Sequence, residues 1–446
     1  MSGLITPVWT RTRQPLKTYI ASISAIVVVL ILISTFRYRV APLGNFTKPG
    51  AQDSSVPNAP ADAGGEWRFH PARDSRNLGL SDEQCDIAFP RNYTEIDSAR
   101  AYFGRASVRR EQVKIHADAN TWPHAQMHVL IYNGQMYVID EQTGASDRAR
   151  GMAGLSNLYR AITAVSDPTT IPNVEFVLDL EDRPTDGMPK DRVVWSWNRP
   201  KAERNTWVVP DFDGWAFPDV NLGSYISFRE RLQFVEIPFE EKDSRPVWRG
   251  AMNNKVRTAL MNVGRDQGWA DVKEMNLQTR LNMVDFCRYK FPIHTEGNTW
   301  SGRLRYLQNC DSVTVVHQPL EHQAHFYDLL VAEGPDQNFL SVRNDFSDLQ
   351  EKVQYYLSHP EAAARIVHNS VATFRDRYLT PAAEACYWRR LIRAWAGVQA
   401  FSPTAYSNAR KPDGTAWMKQ RGVDWEIFAH PDPNFPFKFP EGSAWI

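Results

Sequence analysis

Four stretches of the 446-residue chain place reactive side chains at chain turns. Leu178-Asp179-Leu180-Glu181-Asp182-Arg183-Pro184 closes a strongly apolar run over residues 174–180. In open α/β sheets ligands collect beyond the carboxyl ends of strands, and a carboxylate there can act as a general base. Trp248-Arg249-Gly250 leads into Asn253-Asn254-Lys255-Val256-Arg257, which reads as a helix start. Glycine lets backbone approach a ligand, and arginine makes paired hydrogen bonds to phosphate. Thr295-Glu296-Gly297-Asn298-Thr299-Trp300-Ser301-Gly302-Arg303 is a glycine-containing loop before a helical stretch, a pattern that presents N–H groups to an anion. Asp211-Phe212-Asp213 matches an Asp-x-Asp pattern able to hold a divalent ion, although three residues match easily by chance.

Other chemistries lack their motifs. There is no Gly-x-Ser-x-Gly elbow, His-Glu-x-x-His zinc helix, Walker loop or Gly-x-Gly-x-x-Gly fingerprint. His317, His322 and His325 cluster in sequence but read as a loop and a helix face, not a metal site. The four cysteines lack Cys-x-x-Cys spacing, and as thiols in the body they permit three pairings.

The elements that must position these groups alternate. Residues 127–140 read as a hairpin turning at Asn133-Gly134. Residues 174–180, 312–317 and 338–342 read as strands. Ser347-Asp348-Leu349-Gln350 is a capping-box pattern before a face of Leu349, Val353, Tyr356 and Leu357. Helices follow over 361–377 and 382–398, and the proline- and aromatic-rich stretch 402–446 reads as an extended wrap. Strand–helix alternation predicts α/β architecture with largely parallel sheets.

Residues 18–36 carry no charge and are long enough, at about 1.5 Å per residue, to cross a bilayer. They predict an uncleaved transmembrane signal-anchor behind a cytoplasmic tail (1–17), with a flexible stem over 37–66. Asn45-Phe46-Thr47 and Asn92-Tyr93-Thr94 fit the N-glycosylation pattern. The formal charge is zero, with 51 basic and 51 acidic side chains. Residues 1–52 hold six basic and no acidic groups, which leaves 45 against 51, a formal −6, in the rest. That balance and the 43% hydrophobic content exclude a disordered chain, a multi-span membrane protein and a strongly basic nucleic-acid binder. Fifteen tryptophans fit either a sugar-handling cleft or an ordinary core.

The ordered motifs over about residues 85–401 resemble glycosyltransferase family 90, which includes fungal capsule-associated xylosyltransferases and animal protein O-glucosyltransferases. They are Phe176 to Pro184, Trp248-Arg249-Gly250, Val284 to Lys290, Glu296 to Arg303, Val342 to Leu349 and Cys386-Tyr387-Trp388. The resemblance implies a GT-B fold, two Rossmann-like domains facing a cleft: 67–237 on the acceptor side, 238–380 for a UDP-sugar, and 381–446 as a helix crossing back and a tail. It implies inverting, metal-independent transfer of xylose or glucose to a glycan hydroxyl, without a cofactor. Asp182 falls on the family's general base. Arg249, Arg257 and Arg303 fall on its donor-binding arginines, and Gly297, Asn298, Thr299, Trp300, Ser301 and Gly302 on its donor loop. It also implies disulfides Cys85–Cys386 and Cys287–Cys310. Glu296 departs from the basic residue of the animal enzymes, so donor contacts are expected to differ. Together with the apolar span these features predict a single-pass type II protein of the Golgi or endoplasmic reticulum, its body lumenal. Two alternatives are a transferase acting on protein Ser/Thr hydroxyls and a catalytically silent lumenal glycan-binding protein. No nucleic-acid partner is expected.

Overall fold

Two sheets organise the chain, and they differ in how their strands run. The computed structural model describes residues 67–115, 125–184, 191–217 and 222–430, all within one compact unit, Asp62–Ile446. In chain order the strands are β1 Gln126–Tyr132, β2 Gln135–Gln142, β3 Val174–Asp179, β4 Val194–Ser196, β5 Arg199–Pro200, β6 Thr206–Val208, β7 Asp243–Gly250 and β8 Asp271–Glu274. They continue as β9 Tyr289–His294, β10 Val315–Gln318, β11 His322–Gln323, β12 Leu340–Arg343, β13 Tyr406–Arg410, β14 Ala416–Gln420 and β15 Val423–Asp424.

The first sheet has the order β15-β2-β1-β3-β4-β6. The hairpin β1–β2 turns where expected: Asn133 and Gly134 both take positive φ, 50° and 72°, as the tight I′ turn requires. β3 pairs antiparallel with β1 but parallel with β4, and β4 runs parallel to β6. β3 is buried at every position. Of its two buried acids, Glu175 is gripped by His128 at 3.0 Å, Arg421 at 2.9 Å and Arg110 at 3.0 Å. Burial alone would raise that carboxyl, but these partners draw it down to about 2.

The second sheet has the order β12-β10-β9-β7-β8. Its five strands are parallel throughout. Counted along the chain the order is 2-1-3-4-5, a doubly wound arrangement. Trp248, Leu260, Phe291, Ile293, Val315 and Ile366 are among its core residues.

The helix Pro381–Val398 leaves the second sheet and completes the core of the first. Its Trp388 and Trp395 pack with Trp195, and Trp195 stacks on Phe176 at 3.6 Å. Six tryptophans (195, 197, 207, 248, 388 and 395) are fully buried, so those rings are core and not cleft. Both implied disulfides are present: Cys85–Cys386 joins this helix to Asp82–Ala88, and Cys287–Cys310 lies within the second half.

Several expectations are corrected. The body is mixed α/β with several sheets, not a GT-B pair of Rossmann-like domains behind one transmembrane helix, because the β1–β2 hairpin and β15 put antiparallel strands into the first sheet. Among the described residues no helix is long and apolar enough to cross a membrane. The predicted span 18–36, and the type II Golgi placement built on it, thus find no support among the described residues. That span, the tail, the stem and Asn45 lie outside the described residues. Asn92 is buried and donates from Nδ2 to the Ala383 carbonyl at 3.0 Å, which leaves no accessible amide nitrogen for a glycan. The helix after Ser347 is Leu349–Ser358, and the expected capping bond is not made; Asp348 instead accepts from the Arg343 N–H at 3.0 Å. The stretch after 402 forms the hairpin β13–β14 and then β15, which joins β2.

The Cys85–Cys386 bridge closes the widest loop, with a sequence separation of 301. Replacing both cysteines by serine is expected to lower unfolding stability by about 2–5 kcal/mol, read as a shifted urea midpoint without reductant. An unchanged midpoint would mean the bridge does not constrain the unfolded chain.

Candidate active site

Strand order in the second sheet reverses between β7 and β9, and the loops leaving their carboxyl ends must part there to form a crevice. The β7 loop is 251–254 and the β9 loop 295–302. Asn254 ties them together. Its Oδ1 caps the helix Lys255–Gly264 by accepting the Arg257 N–H at 2.9 Å, while Nδ2 donates to the carbonyls of Glu296 and Gly297. Arg257 adds a second brace, donating from Nε to the Glu296 carbonyl and from Nη1 to the Ala251 carbonyl, each at 2.9 Å.

Arg303 begins the short helix Arg303–Leu307. Its guanidinium and that of Arg257 lie 6.0 and 5.8 Å from the Trp248 ring centre, and Arg303 also faces Phe286 at 5.7 Å. Nε and Nη1 of Arg303 are buried with no hydrogen-bond partner. Burial, and then the charge of Arg257, push Arg303 down to about 9; burial pushes Arg257 down to about 10. Both stay cationic near neutral pH. His294, at the end of β9, is fully buried, and neither ring nitrogen has a partner. Burial, with His317, Arg303 and Arg257 nearby, holds it neutral. Two like charges side by side, with buried N–H groups of Arg303 unsatisfied, are costly unless an anion joins them.

Asp182 approaches from the first sheet, three residues beyond β3. Its backbone carbonyl accepts from Asn198 Nδ2 at 3.0 Å. Its carboxylate lies 3.3 Å from Arg150 Nη1 and 3.4 Å from Asn298 Nδ2 of the β9 loop, and keeps 39% exposure. A pocket of about 290 Å³ opens beside it, bordered by Arg183, Asn198, Asn298, Thr299, Glu321 and His322 among others. A carboxylate in such a pocket can take a proton from a bound hydroxyl.

The structure separates residues the sequence grouped together. Arg249 is not poised for a ligand: its guanidinium donates to the carbonyls of Thr279, Trp248 and Asp271 and to the Asp271 carboxylate at 2.8 Å. Trp300 is buried and donates from Nε1 to Asp211 at 2.6 Å. Gly302 presses on the same pair, since a Cβ there would lie 2.7 Å from Asp213 Oδ2. Asp211 and Asp213 are buried, and Asp213 pairs with Arg305 Nε at 2.6 Å, so the Asp-x-Asp pattern serves a structural ion network. Burial raises both carboxyls, Asp213 further by repulsion from Asp211. Thr299 is buried and Ser301 partly so; the Gly297 N–H donates to the Thr299 carbonyl at 2.8 Å. Among the described residues no three His, Cys, Asp or Glu side chains form a metal-holding group. Sequence reading named Asn254, Glu296 and His322 but assigned none of them these roles. Asn254 was legible as a helix cap, whereas Glu296 and His322 meet only through folding.

A parallel sheet with a cationic crevice at its order switch, faced by a carboxylate from a second sheet, can hold an anionic ligand beside a hydroxyl-bearing partner. A sequence profile of glycosyl transferase family 90 matches residues 83–424, and the chain belongs to that family. Protein O-glucosyltransferase 2 of Danio rerio is 25% identical over 332 residues, covering 70% of this chain and 64% of its own. Protein O-glucosyltransferase 1 of Homo sapiens is 24% identical over 261 residues, covering 52% and 65%. O-glucosyltransferase rumi of Drosophila pseudoobscura pseudoobscura is 24% identical over 254 residues, covering 51% and 61%. The chain thus spans a little under two thirds of the length of these relatives.

The two arginines should respond oppositely to removal. Arg303→Met is expected to raise the stability of the ligand-free protein by roughly 1–3 kcal/mol, because it deletes a cation whose buried Nε and Nη1 are unsatisfied. Arg249→Met should lower it by roughly 3 kcal/mol, because Asp271 loses its main partner. Chemical denaturation measures both, and a destabilised Arg303→Met would make that residue structural.

Proposed function

We propose that this chain is an inverting glycosyltransferase that moves a sugar, xylose or glucose, from a UDP-sugar to an acceptor hydroxyl. The observation that carries the reading is the half-buried Arg303, whose buried Nε and Nη1 have no partner, beside Arg257 at a crevice that Asp182 faces. Asp182 takes the proton of the acceptor hydroxyl as that oxygen attacks the anomeric carbon from the side opposite UDP. The bond from that carbon to the diphosphate oxygen breaks, and UDP leaves with the electron pair. Arg303 and Arg257 stabilise the charge that grows on the diphosphate, and the loop 297–302 lines the nucleotide. Arg249 drops out of the donor set and acts as a strut beneath it. In this reading the arginines supply the positive charge, so neither a metal nor another cofactor has a role.

The names of the relatives favour glucose as the sugar and a protein as the acceptor. A glycan acceptor, as in the fungal branch the motifs resemble, is the second reading. It rests on the resemblance of the ordered motifs to that branch. Two disulfides and no free cysteine among the described residues fit an oxidising secretory compartment.

With the purified protein, Asp182→Asn should lower transfer from UDP-glucose or UDP-xylose by about 10²- to 10⁴-fold, with UDP affinity nearly unchanged. Arg303→Ala should instead weaken UDP binding. Transfer should survive EDTA. Full activity in Asp182→Asn would place the base elsewhere, and loss with EDTA restored by manganese would require a metal.

A further inference from the structure

Glu296 opens the β9 loop and is almost fully buried. Its carboxylate does not face a ligand. Oε2 accepts the Glu321 N–H at 3.0 Å, and Oε1 accepts the His322 N–H at 2.9 Å. Oε1 also lies 3.2 Å from His322 Nδ1. Burial would raise this carboxyl, but the bonds from His322 and from the two backbone N–H groups outweigh it and hold the group ionised. An ionised carboxylate only accepts, so Nδ1 of His322 carries the proton. In the neutral ring Nε2 is then an acceptor, and it has no hydrogen-bond partner among the described residues.

The backbone fixes where this ring stands. His322 starts β11, whose partner is β5 of the first half: His322 lies opposite Pro200 and Gln323 opposite Arg199. The Lys201 N–H donates to the Glu321 carbonyl at 2.9 Å. This short pairing closes one wall of the pocket that Asp182 borders, and His322 lines it with Asn298 and Thr299. Glu296, Asn298, Thr299 and Arg303 belong to one segment. The ring is therefore coupled to the loop proposed to hold the nucleotide, while Asp182 arrives from the opposite sheet. A group on the nucleotide side of the pocket meets the sugar still attached to its diphosphate.

We propose that His322, oriented by Glu296, determines donor specificity by accepting a hydrogen bond from a hydroxyl of the donor sugar. The assignment rests on the proposed UDP-sugar reading of the site. Glu296 acts through His322 and is a positioning residue.

His322→Phe keeps the ring and removes both nitrogens; His322→Gln keeps a hydrogen-bonding group. Each is assayed for kcat/KM with UDP-glucose and for the Kd of UDP alone. His322→Phe should lower kcat/KM by roughly 10- to 100-fold, with UDP affinity within about twofold, and His322→Gln should recover part of the loss. One monodeoxy UDP-glucose should react equally well with wild type and His322→Phe, which identifies the hydroxyl. Glu296→Gln should lower kcat/KM in the wild-type background and add nothing in His322→Phe. An unchanged kcat/KM in His322→Phe, or an equal fall in UDP affinity, overturns the assignment and leaves the UDP-sugar reading intact. A wild-type chain that binds no UDP overturns both.

Discussion

Arg305 is the interaction on which the rest of the site depends. It has no solvent exposure and bridges two buried carboxylates, Asp213 and Glu384. Those three residues come from the helix after the β9 loop, the turn after β6, and the long helix Pro381–Val398. Breaking a buried pair by removing one partner leaves an uncompensated charge, so the three segments are held to one another by electrostatic necessity. Asn157 adds a fourth, donating to Glu384 at 2.9 Å. Two residues before Arg305 the chain carries Arg303, whose N–H groups have no partner. The satisfied cation anchors the backbone that presents the unsatisfied one.

That contrast runs through the site. Arg249, Arg257, Arg303 and Arg305 all fall near glycine or a helix start, and local pattern treats them alike. Their fates are set by partners far along the chain. Asp271 reaches Arg249 because β8 lies beside β7, with Val247 opposite Asp271. Asp213 and Glu384 reach Arg305 only after the two sheets and the long helix have assembled. Arg257 is half committed: it braces two loops through Nε and Nη1, and Nη2 has no partner among the described residues. Arg303 receives nothing. Sorting these four roles requires tertiary structure, because a guanidinium's function depends on which of its donors the protein itself has satisfied.

The same logic separates what was legible in the fold from what was not. The β1–β2 hairpin is local chemistry, since Asn133-Gly134 supplies the positive φ that its turn needs. β3 is readable because its apolar residues, Val174, Phe176, Val177 and Leu178, fall on both faces of the strand. The second sheet follows from strand–helix alternation. The first sheet does not, because β15 is two residues long and its pairing with β2 spans nearly the whole body. Asp211-Phe212-Asp213 looks like a metal pattern until Trp300 and Arg305 occupy its carboxylates. Glu296 reads locally as the opening of a glycine-containing loop, but the backbone N–H groups it serves come from a segment twenty-five residues later.

The helix Pro381–Val398 has a consequence for biosynthesis. A ribosome delivers five of the six strands of the first sheet early, and the covering helix and then β15 only after the whole second sheet has emerged. Until then Phe176, Trp195 and Trp207 lack the rings of Trp388 and Trp395 that shield them, and Cys85 has no Cys386 to meet. The second half, whose strands and core helices are contiguous in sequence, can close on itself first. The earlier-made half must wait, partly covered, for the chain to return. Vectorial synthesis therefore inverts the order of folding relative to the order of residues, and leaves a window in which an aromatic face stays open to chaperones or to aggregation.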